Sequence, residues 1–223
     1  MTPWRHATAL ILLLLATTLQ GISPSLALSD RFSLDTSVLE AARHQYGREA
    51  GKRLRQWVEL INHDTSRSTW EKLEKVNDFF NRLDFVDDTI HWKKQDYWAT
   101  PVEFLASGGG DCEDFAMAKY FTLRALGIPD RQLTLTYVKA LRYNLAHMVV
   151  TYYPAPGSEP LILDNLDKTI KPASRRRDLL PVYSFNGTGL WLAKQRGQGR
   201  FVGPSDRLSR WQDVLTRLPK GLF

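Results

Sequence analysis

The chain has 223 residues, a formal net charge of +6 and a single cysteine, Cys112. One cysteine and scattered histidines exclude a disulfide framework and give no zinc-ligand spacing. The basic excess sits late, in KTIKPASRRRD and KQRGQGR, without the aromatic–basic interleaving of a nucleic-acid groove. No nucleic-acid partner is expected, and these runs read as solvated surface facing acidic partners or lipid headgroups.

The first stretch, MTPWRHATALILLLLATTLQGISPSLALSD, has a short basic start at Arg5 and His6 and an apolar run from Ala7 to Leu19. Ser25 and Ala27 are the small residues of a signal-peptidase site. The run falls short of the roughly 20 residues that span a bilayer. Residues 1–27 are therefore expected to be a cleaved signal peptide, with an uncleaved anchor as the alternative. Loss of Arg5 takes the charge from +6 to +5 and leaves residues 28–223, with no repeat or linker, as one domain. A lone thiol in an oxidising compartment is a candidate reactive group; the plain alternative is a buried, inert cysteine.

From Thr36 to about Ile61, apolar residues recur at helical spacing, with Gly47 and Gly51 as weak points. STWE at Ser68–Glu71 is a capping box and starts a second helix, whose core stripe is Leu73, Val76, Phe79, Phe80 and Leu83. HWKKQDYWATPVEFLASGGG reads as an aromatic-rich connection, with Trp98 more suited to a core than to a substrate groove. The next helix begins at Asp111, runs to about Leu126 and stops at Gly127 before Pro129; FAMAKYFTLRAL is apolar nearly all round, so this helix is central. The period then becomes two. QLTLTYV, AHMVVTYY and PLILDNL read as strands, PVYSFNGTGLWLA as a hairpin about Asn186-Gly187, and SDRLSRWQDVLTRL as an amphipathic closing helix. Helices first and an antiparallel sheet second make the fold α+β.

Cys112 sits at a helix start, where unpaired N–H groups favour a thiolate, behind glycines that permit close backbone approach. A cysteine nucleophile needs a base and a group to orient it. His44, His63 and His91 lie in helical or connecting segments, whereas His147 lies on a strand whose neighbour carries Asp164. Closing the loop PAPGSE symmetrically pairs Tyr153 with Pro160 and Val149 with Asp164. His147 and Asp164 are then diagonal neighbours on one face, with Cβ atoms roughly 7–8 Å apart. A one-residue slip would separate them onto opposite faces.

GGGDCEDFAMAKYFTLRALGIP, AHMVV and LDN together resemble the bacterial transglutaminase-like cysteine proteinases, and among them the LapG group. The resemblance implies a transglutaminase/papain-like fold with the cysteine helix packed on the sheet. It implies a periplasmic endopeptidase that clips a large repeat adhesin near its N-terminus, after a dialanine, and so releases biofilm cells. By position, Cys112 is the nucleophile, His147 the base and Asp164 the orienting acid. Calcium is implied too, mapped onto Asp111, Glu113 and, less directly, Asp114, as is an inner-membrane cyclic-di-GMP receptor that sequesters the enzyme. Asp111, Glu113 and Asp114 also have a simpler reading, as capping acids that complement the helix dipole. Yet three carboxylates beside a thiol raise its pKa, and they form a nucleus for calcium, which takes 6–8 oxygen ligands. The competing functions are a peptidoglycan amidase or a transglutaminase on the same scaffold, and a non-catalytic periplasmic binding module.

Overall fold

The computed structural model describes residues 31–63, 67–192 and 199–222, and the expected signal peptide lies outside the described residues. The helical stripe from Thr36 onward is two helices, α1 (Thr36–Tyr46) and α2 (Arg48–His63). The chain breaks at Gly47, whose φ of 83° is left-handed backbone that a Cβ disfavours, while Gly51 is buried within α2. Helix α3 (Thr69–Phe80) starts at the expected capping box, with Glu71 accepting from the Ser68 N–H at 2.9 Å. Its Leu73, Val76 and Phe80 are buried, and Phe79 and Leu83 pack at the margin of the core.

The aromatic connection holds more structure than its sequence suggests. A short strand β1 (Asp84–Phe85) pairs parallel with β2 (Gly109–Gly110), and between them lie α4 (Asp88–His91) and α5 (Pro101–Ser107). Helix α5 has its own capping box, Thr100 with Glu103, and Pro101 in its first turn. Gly108 ends it in the left-handed region, at φ 88°. The glycines before Cys112 thus have local roles. Gly109 lies where a Cβ would meet the Asp84 carbonyl at 2.7 Å, and a Cβ on Gly110 would meet Asp114 Oδ2 at 2.1 Å.

Helix α6 (Cys112–Ala125) is the centre of the molecule, buried from Cys112 to Leu123 except at the half-exposed Glu113. Asp111 is its N-cap and accepts from the Glu113 N–H at 3.3 Å. The sheet that covers it contains β3 (Leu133–Ala140), β4 (Leu145–Tyr152), β5 (Leu161–Leu163), β6 (Lys171–Pro172), β7 (Leu179–Phe185), β8 (Leu190–Leu192) and β9 (Arg200–Gly203). Its order is β6-β5-β4-β3-β7-β8-β9, antiparallel throughout. Strands β4 and β5 pair Tyr152 with Leu161 and Val150 with Leu163, the register expected from symmetric closure of their loop. The Asn186-Gly187 hairpin is present, and Asn186 is buried with its amide donating to the Asp130 and Leu133 carbonyls.

The last helix, α7 (Ser209–Arg217), returns to the core through Trp211 and Val214. Trp211 is fully buried, stacked on Phe121 at 5.4 Å and edge-on to Phe185 and Tyr120. Arg217 then ties α7 to the start of α5, donating to Tyr97 Oη (2.8 Å), the Trp98 carbonyl (2.7 Å) and the Glu103 carboxylate. Trp211→Ala should therefore cost about 3–5 kcal/mol, read by chemical denaturation. A loss below about 1 kcal/mol would show that α7 is an appendage and not part of the core.

Candidate active site

The first turn of α6 and the strands β4 and β5 bring Cys112, His147 and Asp164 to one place. His147 Nε2 lies 2.7 Å from Asp164 Oδ1, with both side chains buried. The Met148 backbone N–H is directed at the Cys112 sulfur, so the residue next to His147 contacts the thiol. Asp164 Oδ1 also accepts the Leu166 N–H at 3.0 Å, and Oδ2 accepts from Arg176 Nη2 at 2.7 Å. Burial alone would raise this carboxyl. The hydrogen bond and charge of His147, the Arg176 cation and the Leu166 N–H outweigh it and hold Asp164 well below the usual range. The histidines His44, His63 and His91 lie on α1, α2 and α4, apart from this group.

The acids around Cys112 are in the opposite condition. Burial pushes the Cys112 thiol far up, Glu113 and Asp111 push it further, and the thiol donates to Glu113 Oε2 at 2.7 Å. Burial and then Glu113 and Asp114 raise Asp111 to about 10, and burial raises Asp114 to about 8 although it accepts from Ala99 N and Trp92 Nε1. Asp88, on α4, joins them: ligand atoms of Asp88, Asp111 and Asp114 lie within 4.8 Å of one another, as do those of Asp111, Cys112 and Glu113. Asp111 thus belongs to both groups, and Glu113 faces the thiol while Asp88 completes the buried trio. Asp88 is raised by its burial, accepts the Tyr97 N–H on Oδ2, and leaves the buried Oδ1 without a partner. Three close, desolvated carboxylates with an orphaned oxygen suit a hard cation with oxygen ligands.

A family model for bacterial transglutaminase-like cysteine proteinases matches residues 45–187. The chain belongs to this family. Legionella pneumophila LapG has 47% sequence identity and a TM-score of 0.71, the match covering 81% of this chain and 95% of that one. The same Legionella protein has been solved calcium-bound, at 46% identity and a TM-score of 0.70 over 82% of this chain and 99% of that one, and EGTA-treated. No curated protein sequence matches the chain. The α+β architecture, with a cysteine helix against an antiparallel sheet, is that of the family.

Two residues of this site escape a sequence reading. Asp88 follows the Asp87 N-cap of α4 in a segment with no strong period, and only the acid pair could have drawn attention to it. Arg176 lies within the basic run of Lys171–Asp178 and resembles its exposed neighbours Arg175 and Arg177, yet it is buried. Trp98 is buried and stacked on Phe185 at 5.7 Å, as a core residue.

The raised carboxyls set a pH dependence. In metal-free buffer Asp88, Asp111 and Asp114 together hold more protons in the folded than in the unfolded chain between the ordinary Asp range and about 8, the value for Asp114. They outnumber Lys119, which burial lowers to about 7 and which acts in the opposite sense. Stability should then fall as pH rises through that window, so the melting temperature should be lower at pH 8 than at pH 5. A melting temperature that climbs over the same range would mean that the trio is already neutralised by protein groups.

Proposed function

We propose that the protein is a calcium-dependent periplasmic cysteine endopeptidase that cuts a large surface adhesin near its N-terminus. The observation that carries this reading is the buried His147–Asp164 pair, 2.7 Å apart, beside a helix-start thiol in a cysteine proteinase family. Likeness to Legionella LapG supports the narrower activity, and the leader-like residues 1–27 support export.

With Nε2 committed to Asp164, the Nδ1 nitrogen of His147 is the one that takes the Cys112 proton. The thiolate attacks the scissile carbonyl, and the Cys112 N–H at the start of α6 stabilises the oxyanion. The imidazolium returns its proton to the leaving amine, and Asp164 keeps the ring oriented and its charge compensated throughout. Water then attacks the thioester with His147 as base and releases the second product. Asp88, Asp111 and Asp114 would hold calcium, with Glu113 as a further ligand on the thiol side. When bound, calcium supplies positive charge that offsets these carboxylates and fixes the turn carrying Cys112.

The test is incubation with the N-terminal region of a co-encoded giant repeat adhesin. One clean cut is expected after a dialanine, none with Cys112→Ala, and severe losses with His147→Ala and Asp164→Asn. Retained cleavage in Cys112→Ala would sink the reading. EGTA should abolish the cut and calcium restore it, with magnesium a poor substitute because it demands tight octahedral geometry. Calcium should also raise the melting temperature of the wild type but not of Asp88→Asn or Asp111→Asn. Full activity in EGTA with no thermal shift would remove the metal. Control by an inner-membrane cyclic-di-GMP receptor belongs to the same proposal, and co-purification with the receptor's periplasmic domain tests it.

A further inference from the structure

Asp164 is gripped on every side. Its Oδ1 meets His147 on β4 and the Leu166 N–H, its Oδ2 meets Arg176, and its backbone carbonyl accepts from Lys119 Nζ on α6 and from Asn81 Nδ2, each at 2.9 Å. Arg176 is only 4% exposed and is itself anchored, with Nε 3.1 Å from Asp178 Oδ1 and Nη2 2.9 Å from Asp178 Oδ2. Asp167, 4.0 Å from Nε, completes the charged groups about the guanidinium. A buried ion pair is weak evidence for stability, because desolvation offsets most of the attraction. The geometry serves orientation better. A carboxylate can turn about its last bond, and a second partner fixed on Oδ2 stops Oδ1 from leaving the imidazole. Only a planar fork can hold Asp178 with two nitrogens and still aim one of them at Asp164.

We propose that Arg176 is a positioning residue for peptide cleavage: anchored by Asp178, it locks Asp164 Oδ2 so that Oδ1 stays on His147 Nε2. The inference rests on Cys112, His147 and Asp164 being the reacting groups. Arg176 touches neither substrate nor thiol, so it acts on turnover and leaves substrate binding alone. It also favours the ionised form of Asp164, together with His147 and Lys119 from the opposite elements.

The experiment is steady-state cleavage of the adhesin N-terminal fragment, in calcium and across pH, by wild type, Arg176→Met, Arg176→Lys and Cys112→Ala. Arg177→Met serves as an exposed control. Arg176→Met is expected to lose about 10²-fold in kcat, the scale of a misplaced catalytic group, with KM changed less than about twofold. Its acid limb should move to higher pH, because Asp164 has lost a cation that kept it ionised. Arg176→Lys, which keeps the charge but not the fork, should fall between wild type and Arg176→Met, and Arg177→Met should match wild type. If Arg176→Met does not fold, Asp178→Asn carries the test by loosening the fork without uncovering Asp164, and a lower kcat with the same acid-limb direction is expected. Wild-type kcat and acid limb in Arg176→Met, or in Asp178→Asn in that case, would overturn the inference. Cys112→Ala keeps the two failures apart: cleavage by that variant defeats the proteinase reading, whereas an inactive Cys112→Ala beside a fully active Arg176→Met defeats only the role of Arg176.

Discussion

Four carboxylates and one thiol crowd the first turn of α6 and its neighbour α4, and most of this group is out of contact with water. Burial and neighbouring charge raise the cost of ionising Asp88, Asp111 and Asp114, and Glu113 and Asp111 oppose the thiolate that cysteine chemistry requires. The fold nevertheless commits to this arrangement. Gly110 leaves room for the Asp114 carboxylate, Trp92 and the Ala99 N–H bind it, and Asp111 caps the helix that carries Cys112. The acids are built into the scaffold, and either protons or a bound cation can meet their charge.

At Asp164 the same problem is solved within the chain. Asp164 is as buried as Asp114, yet it is held ionised by His147, Arg176 and a backbone N–H. One buried carboxylate is thus compensated within the chain, whereas the other group has the donor set that suits a hard cation. Activity can then depend on a metal without the metal touching the histidine–aspartate pair. The central position of α6 links the two: its first turn carries the thiol and the acids, and Lys119 further along it grips the Asp164 carbonyl.

Much of this was legible in the sequence because local rules and tertiary packing agree. The Ser68 capping box, the stop at Gly127 and the β4–β5 register follow from turn chemistry and alternation, and the register alone places His147 and Asp164 on one face. Helix α5 was hidden by its own aromatic flank, although Thr100-Pro101-Val102-Glu103 is as good a helix start as Ser68-Thr69-Trp70-Glu71. The two-residue strand β6 and the edge strand β9 are too short for a period to show. Asp88 and Arg176 could not be found by local pattern, since their roles come from contacts with residues 23 or more positions away for Asp88 with Asp111, and 12 for Arg176 with Asp164. Charge on a surface-like run says nothing of which cation turns inward.

A cation at the acid cluster is expected to decide whether Cys112 ionises. Because Cys112 is the only cysteine, thiolate absorbance near 240 nm reports it without interference from another thiol. Titrating the difference between wild type and Cys112→Ala, in calcium and in EGTA, measures that ionisation directly. The thiolate is expected at neutral pH in calcium and should be lost in EGTA, where ionisation should move well above the ordinary cysteine range. The same titration curve in both buffers would contradict it.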